Sequence, residues 1–385
     1  MNYSMLAFSW QAFLMDDTGE RTKGFADWVD CGLPPPRLSE WAEYLQWITE
    51  RFDIHIDQRR ICRIDTRDGK WVVDVVGENP NNGLANVTSI PGDGLVITGP
   101  GPARKAGNQK DSGNRVTDAQ NFWLNRRGIR NRIDRDAKKR AKIGVIGDGG
   151  AAASAIMTLL DDMSPLCQIK VISPSGVIYS RGESYDENRH HSDPADWMRM
   201  DCESRKKFVQ HTSNGVFSLH AKSLINDAEN LETLSGKVAS IEGNSVRVRV
   251  TFEDIDPSTG EERAPERFDY VIVAMGFDAM WWSHPKILGA GAKNAIEAAI
   301  KKCSDAPKKC NGKPENKGRI TFDSLAKTVG CYLEVSGMAP KLYLPMMAAH
   351  HQGPGFPGLG CLGLLSDRIL ADYCGEGLDD PPACA

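Results

Sequence analysis

Residues 143–155 read IGVIGDGGAAASA. Apolar residues meet a glycine cluster, and the glycines open into small helix-forming residues. That is the pattern of a strand, a tight turn and a helix. Gly147-Asp148-Gly149-Gly150-Ala151-Ala152 fits GxGxxA. In such a turn the first glycine permits the sharp bend, the second lets the backbone approach a pyrophosphate, and the small third position lets helix pack on strand. The amides and partial positive charge of the helix N-terminus suit phosphate oxygens. Gly147, Gly149, Gly150, Ala151 and Ala152 are therefore candidate cofactor-binding residues. A tight turn that holds no ligand is the competing reading.

The next strand, QIKVIS at 168–173, carries the base and ribose specificity. An NAD site places a carboxylate at this strand's end, on the ribose hydroxyls. Here it ends Ser173-Pro174-Ser175, with Arg181 shortly after. The missing acid favours NADPH, with Ser173, Ser175 and Arg181 as candidate contacts; plain turn serines are the alternative. Downstream, FDYVIVAMGF at 268–277 reads as a buried strand ending in a small-residue turn at Gly276, and LVITGPG at 95–101 reads as a matching outward crossing.

Elsewhere Ser39 is a plausible N-cap for an amphipathic helix over about 40–52, with Trp41, Leu45, Ile48 and Phe52 at helical spacing. ICRID and KWVVDVVG flank Asp68-Gly69 and predict a hairpin. Residues 101–140 are polar and read as a solvated connection with a short helix around NFWLNRR. SVRVRVTFED and KLYLPMMAA read as strands, CLGLLSDRILADY as a helix, and 303–318 as an exposed loop. Strands alternating with helices indicate an α/β protein with mostly parallel sheets.

The chain has 385 residues, enough for one large or two ordinary domains, and Lys plus Arg 47 against Asp plus Glu 51 gives a net charge of −4. That balance argues against a nucleic-acid binder. No apolar run approaches the roughly 20 residues of a membrane span, and the first twenty residues do not resemble a signal peptide. The ten cysteines lack zinc-ligand spacing, so no metal is expected and reduced thiols in a cytoplasmic protein are the reading.

In this setting the sequence resembles the N-hydroxylating flavin monooxygenases, the ornithine and lysine N-monooxygenases of siderophore pathways, nearly end to end. PPPRLSEWAEYLQWITERF is similar to a family helix, KIGVIGDGGAAASAI to its NADPH turn, HTSNGVFS at 211–218 to a segment that contacts NADPH and closes the substrate pocket, FDYVIVAMGF to its ATG-type turn, and HHQGPGFPGLGCLGLLSDRIL to its C-terminal loop and helix against the flavin. The resemblance implies two linked Rossmann-like dinucleotide-binding domains, the first (FAD) domain incomplete at its N-terminus. Residues 1–100 with 265–385 would form the FAD-type domain and 141–264 the NADPH domain, joined through 101–140. It implies NADPH and FAD as cofactors, and O₂ and a small nitrogen-containing substrate. Thr212, Asn214, Gly353 and Gly355 join the candidate cofactor contacts. Trp10, Gln11, Ser213 and Asn214 are candidate substrate contacts, and no catalytic residue is assigned.

Three departures accompany it. MLAFSWQAFLMDD is similar to a segment that follows the family's FAD turn, so that turn is expected to be absent. A late start site, a Rossmann segment supplied by a partner chain, and loss of flavin binding each account for this. The lysine that holds the amino-acid carboxylate in the family falls at or near Trp10. Gln-Ser and ATG become Gly150-Ala151 and Ala274-Met275-Gly276. Gly353-Pro354-Gly355-Phe356-Pro357-Gly358 also fits GxGxxG, but two prolines remove amide donors a phosphate cradle would use. A flavin-dependent reductase without oxygenation and a non-catalytic subunit are the alternatives to a monooxygenase. Homo-oligomer formation is open.

Overall fold

The computed structural model describes residues 7–16, 24–33, 36, 38–77, 86–136, 140–163, 166–212, 215–255, 260–304, 318–358 and 361–375. The chain forms two compact units, Met1–Arg60 with Val76–Asn86 and Ile61–Val75 with Val87–Ala385.

The first unit is helical. Ser9 caps the helix Trp10–Met15 by accepting from the Ala12 amide at 3.1 Å. The expected amphipathic helix runs from Leu38 to Arg51, so Ser39 lies inside it and is not its cap. Its buried face also differs. Trp47 is buried while Leu45 is 47% exposed, because aromatic partners set the packing. Phe13 lies edge-on to Tyr44 and Trp47, with centroids 5.5 and 5.7 Å away.

In the second unit, five parallel strands form a sheet in the order Leu231–Ser235, Cys167–Ser173, Ala141–Ile146, Tyr270–Val273, Val116–Asp118. Side chains alternate across it. Ile143, Val145, Ile169, Val171, Tyr270 and Ile272 face the helices Ala119–Asp136, Gly150–Met163 and Leu219–Asn226. Ile146, Ile172, Val271 and Val273 face a second, four-stranded sheet through Ile241, Val248, Val250 and Phe268. Gly144 permits this contact, since a Cβ there would stand 3.2 Å from the Phe268 ring.

A separate core gathers Ile64, Trp71, Ile97, Trp282 and Leu288, the helix Ala290–Ser304, and Leu325 through Cys361. The hairpin turns at Asp68-Gly69, both at positive φ, as a tight two-residue connection requires. Lys341–Tyr343 pairs in parallel with Gly94–Val96. Asp65, buried at its edge, accepts from the Ala292 amide at 3.1 Å and from Arg63 at 2.8 Å. Burial pushes its carboxyl up, but Arg63 and the Ala292 and Thr66 amides outweigh burial and hold it below the usual range.

Several expectations are corrected here. The 101–140 stretch is structured: its helix spans 18 residues, Ala119–Asp136, and buries Phe122, Ile129 and Ile133. Three apolar residues at helical spacing suffice to dock an otherwise charged helix. Beyond those expectations, the segment 180–212 carries two α-helices, Tyr185–Ser192 and Cys202–Thr212, with the short 3-10 turn Trp197–Arg199 between them. Cys202 and Cys331 are each disulfide-bonded, against the reading of reduced thiols; spacing along the chain says nothing of residues brought together across the fold. The loop expected at 303–318 falls largely outside the described residues. No helix among the described residues is long and apolar enough to cross a membrane.

Candidate functional site

The strand order reverses between Ala141–Ile146 and Tyr270–Val273: the chain leaves the first toward Cys167–Ser173 and returns on its other side. A crevice outside the carboxyl ends at such a switch point is where α/β sheets bind nucleotides. The quoted turn sits there. Gly147 has φ +131°, and a Cβ on it would lie 2.3 Å from the Ala274 carbonyl oxygen. Its amide donates to Ile172 O at 2.9 Å, and the Ala274 amide donates to Ile146 O at 2.7 Å. This glycine is fixed by its neighbours on both sides.

Gly149 and Gly150 are different. A Cβ on Gly149 would find nothing closer than 3.9 Å, and one on Gly150 nothing within 4 Å. Neither has positive φ. The protein itself does not require glycine at either position, and the space above them suits a ligand that approaches the backbone. Ala152 is fully buried and Ala151 partly so; the small side chains seat the helix Gly150–Met163 on the sheet.

The 211–218 segment reaches the same place. A Cβ on Gly215, at φ +61°, would stand 3.6 Å from Asp148 Oδ1, and Gly215 N is the nearest atom to the Gly149 position. Neither Gly215 nor Asp148 figured among the candidates; the glycine after HTSN was a readable turn. Thr212 is buried, with its hydroxyl donating to Phe208 O at 2.9 Å. Ser213 and Asn214 lie outside the described residues.

At the end of the second strand, Ser173 is buried and accepts from the Gly176 amide at 3.1 Å. Ser175 is exposed, and its hydroxyl donates to Val177 O at 3.1 Å. Arg181 pairs with Glu183 at 3.0 Å and is 44% exposed. Val216–Phe217 pairs in parallel with Tyr179–Ser180, bringing this edge to the Gly215 segment.

The expected outward and return crossings run side by side. The Arg104 amide donates to Gly276 O at 2.9 Å and the Asp278 amide to Pro102 O at 2.9 Å. Gly276 has φ +74°. Beside them, Arg104, Lys105, Thr117, Asp118 and Asn121 help to line a cavity of about 290 Å³.

Gly353 and Gly355 stand apart from this crevice. A Cβ on Gly355 would meet His191 O at 1.9 Å and Cys361 Sγ at 2.6 Å; one on Gly353 would meet Pro194 at 2.9 Å. In the first unit, Trp10 packs against Tyr44, Trp41 and Phe13, its indole N–H buried without a partner, while Gln11 is exposed. Among the described residues no group of three or more His, Cys, Asp or Glu is placed to hold a metal.

No family model matches the chain. It is 30% identical over 380 residues to L-lysine N6-monooxygenase MbtG of Mycobacterium tuberculosis, covering 98% of this chain and 76% of that protein. The structure of the lysine monooxygenase NbtG from Nocardia farcinica is similar at TM-score 0.66 and 30% identity, covering 95% of this chain and 77% of that one. The ornithine N-hydroxylase KtzI of Kutzneria shares the fold at TM-score 0.69 and 18% identity, over 96% of this chain and 83% of that one. These likenesses favour neither a reductase without oxygenation nor a non-catalytic subunit, and give no support to a missing partner chain. The chain belongs to the N-hydroxylating flavin monooxygenases.

Proposed function

We propose that the protein uses NADPH, FAD and O₂ to hydroxylate the side-chain amine of an amino acid, with L-lysine as the leading candidate by analogy with its named relatives. The balanced reaction consumes NADPH, a proton and O₂ with the amine, and yields the hydroxylamine, NADP⁺ and water. The observation that carries the reading is the contrast within one turn: Gly147 is pinned by Ala274, whereas Gly149 and Gly150 face open space.

NADPH would lie with its pyrophosphate on Gly147, Gly149 and the first turn from Gly150 through Ala152. Its adenosine would lie toward Ser173, Ser175 and Arg181, with Thr212 nearby and Gly276 on the nicotinamide side. Arg181 would exchange Glu183 for the 2′-phosphate, a charge-assisted partner of better match. Residues 141–264 would be the NADPH domain, and 1–100 with 265–385 the FAD-type domain. In that second core the buried indole N–H groups of Trp281 and Trp282 have no partner. Such orphan donors fit a ligand rich in acceptors, as a flavin is. FAD, when bound, supplies the redox chemistry, and the protein orients it and excludes water. Trp10 and Gln11 would contact substrate. A cytoplasmic setting goes with the supply of NADPH.

The test is calorimetry with NADPH and NADH, followed by hydroxylamine detection with L-lysine, L-ornithine and cadaverine. NADPH binding and a hydroxylamine from one of these amines are expected. Absence of NADPH binding overturns the assignment of the turn; NADPH oxidation with no hydroxylated product overturns the oxygenation.

A further inference from the structure

The helix Cys202–Thr212 buries a guanidinium that lacks a counter-charge. Arg205 is 5% exposed. Its Nη1 and Nη2 reach only sulfur, Met198 Sδ at 3.6 Å and Cys202 Sγ at 3.5 Å, and its Nε has no partner. Sulfur is a weak acceptor. Among the described residues no carboxylate lies within ion-pair distance of Arg205. Asp201, whose charge acts on it, accepts instead from the Glu203 and Ser204 amides and the Ser204 hydroxyl.

Two further unpartnered polar atoms belong to adjoining elements. His190 Nδ1 and His350 Nδ1 are both buried without a hydrogen bond. His190 lies edge-on to Phe208 and Trp197, at 5.3 and 6.0 Å, and the Trp197 indole donates to His350 O at 3.2 Å. Both histidine residues are half-buried. Burial, joined by the Lys206 and Arg205 charges, pushes His350 down, and His351 falls to about 4 for similar reasons.

A buried, unpaired guanidinium is costly, and two unpartnered ring nitrogens on adjoining elements add to the cost. An anion at Arg205 would relieve the first of these costs. The planar fork of a guanidinium matches a carboxylate. We propose that Arg205, His190 and His350 form a carboxylate-binding site. Its occupant, on the amino-acid reading given above, is the substrate's own carboxylate; a free small carboxylate is the other source of the same chemistry.

The test uses the full chain in chloride buffer, with acetate as the bare carboxylate, L-lysine, and cadaverine as the amine without a carboxylate. Acetate is expected to raise the unfolding midpoint over chloride at equal ionic strength; no rise overturns the site. By calorimetry, Arg205→Met should weaken acetate by about tenfold or more and leave NADPH binding unchanged. Equal acetate affinity in the two proteins overturns the site. Arg205→Met should also be at least as stable as the parent without carboxylate, because it removes a buried charge; an arginine with a purely structural role would instead be missed. Should that variant fail to fold, Arg205→Lys replaces it, with acetate weakened. Displacement of acetate by L-lysine but not cadaverine identifies the substrate's carboxylate, and acetate binding without displacement identifies the free carboxylate; both support the site. Acetate binding without NADPH binding sinks the functional reading and leaves this site standing.

Discussion

Two turns of this chain satisfy the same glycine spacing, and the fold treats them oppositely. At 147–152 one glycine is fixed by the protein and the next two face open space. At 353–358 the first two glycines are covered by protein: Gly355 lies against His191 O and Cys361, and Gly353 against Pro194. Arg368 stacks 4.5 Å from the Phe356 ring and donates to Gln352 at 3.3 Å, so the C-terminal helix Leu362–Cys374 closes over that loop. Glycine at 355 serves packing between backbones; glycine at 149 leaves room for something that is not protein. A shared motif therefore reports only that backbones come close, and the neighbour decides whether the partner is a phosphate or a peptide.

Substitutions should separate the two turns. The largest effect is expected at Gly147. Alanine there combines a positive φ with contact at 2.3 Å on the Ala274 carbonyl, and should lower stability by about 3 kcal/mol and abolish NADPH binding. Urea denaturation with calorimetry checks both. Gly355→Ala should cost about 2 kcal/mol, since backbone must yield, but the folded fraction should bind NADPH normally. Weaker NADPH binding in that fraction would merge the two turns into one function.

The turns should also differ in their response to acid. His351, beside the second loop, is held at about 4 by burial and by the Arg205 charge. Its folded value lies below the 6.5 of a free imidazole, so protons favour the unfolded chain. The stability it contributes is whole above about pH 6.5 and falls as the pH drops toward 4, by about 3 kcal/mol. His351→Gln should flatten that interval in urea midpoints measured across it; an unchanged slope would assign the acid sensitivity elsewhere.

The smallest effect on the fold, and the most telling, belongs to Gly149. Alanine there meets nothing closer than 3.9 Å at ordinary φ, so stability should hold within about 0.5 kcal/mol. NADPH affinity should drop by about tenfold, equivalent to roughly 1.4 kcal/mol. Unchanged affinity would show that no ligand approaches that backbone.

Legibility followed the range of the interactions. The strands 141–146, 167–173 and 270–273, the DG hairpin and the C-terminal helix stood in the sequence because local periodicity and turn chemistry fix them. The helix Ala290–Ser304 buries Ala292, Ile296, Ala299 and Ile300 along one face, a helical spacing that the sequence carries locally. Helix Ala119–Asp136 was under-read because its charges outnumber the three apolar residues that dock it. Arg205 left no trace: a lone arginine in CESRKKFVQHT is indistinguishable from its solvated neighbours until the folded chain buries it.

The sequence by itself determined where the chain must bend at Gly147, that a strand feeds the turn and a helix leaves it, and that no acid follows at Ser173-Pro174-Ser175. Those are properties of φ, of periodicity and of residue chemistry, all local. Only the tertiary structure decided which glycine turn stays open, that Gly215 and Asp148 meet across it, and that Arg205 is buried without a counter-charge. Each of these depends on residues distant in the chain sharing one volume, and burial, which sets the cost of a charge and the room for a ligand, exists only once they do.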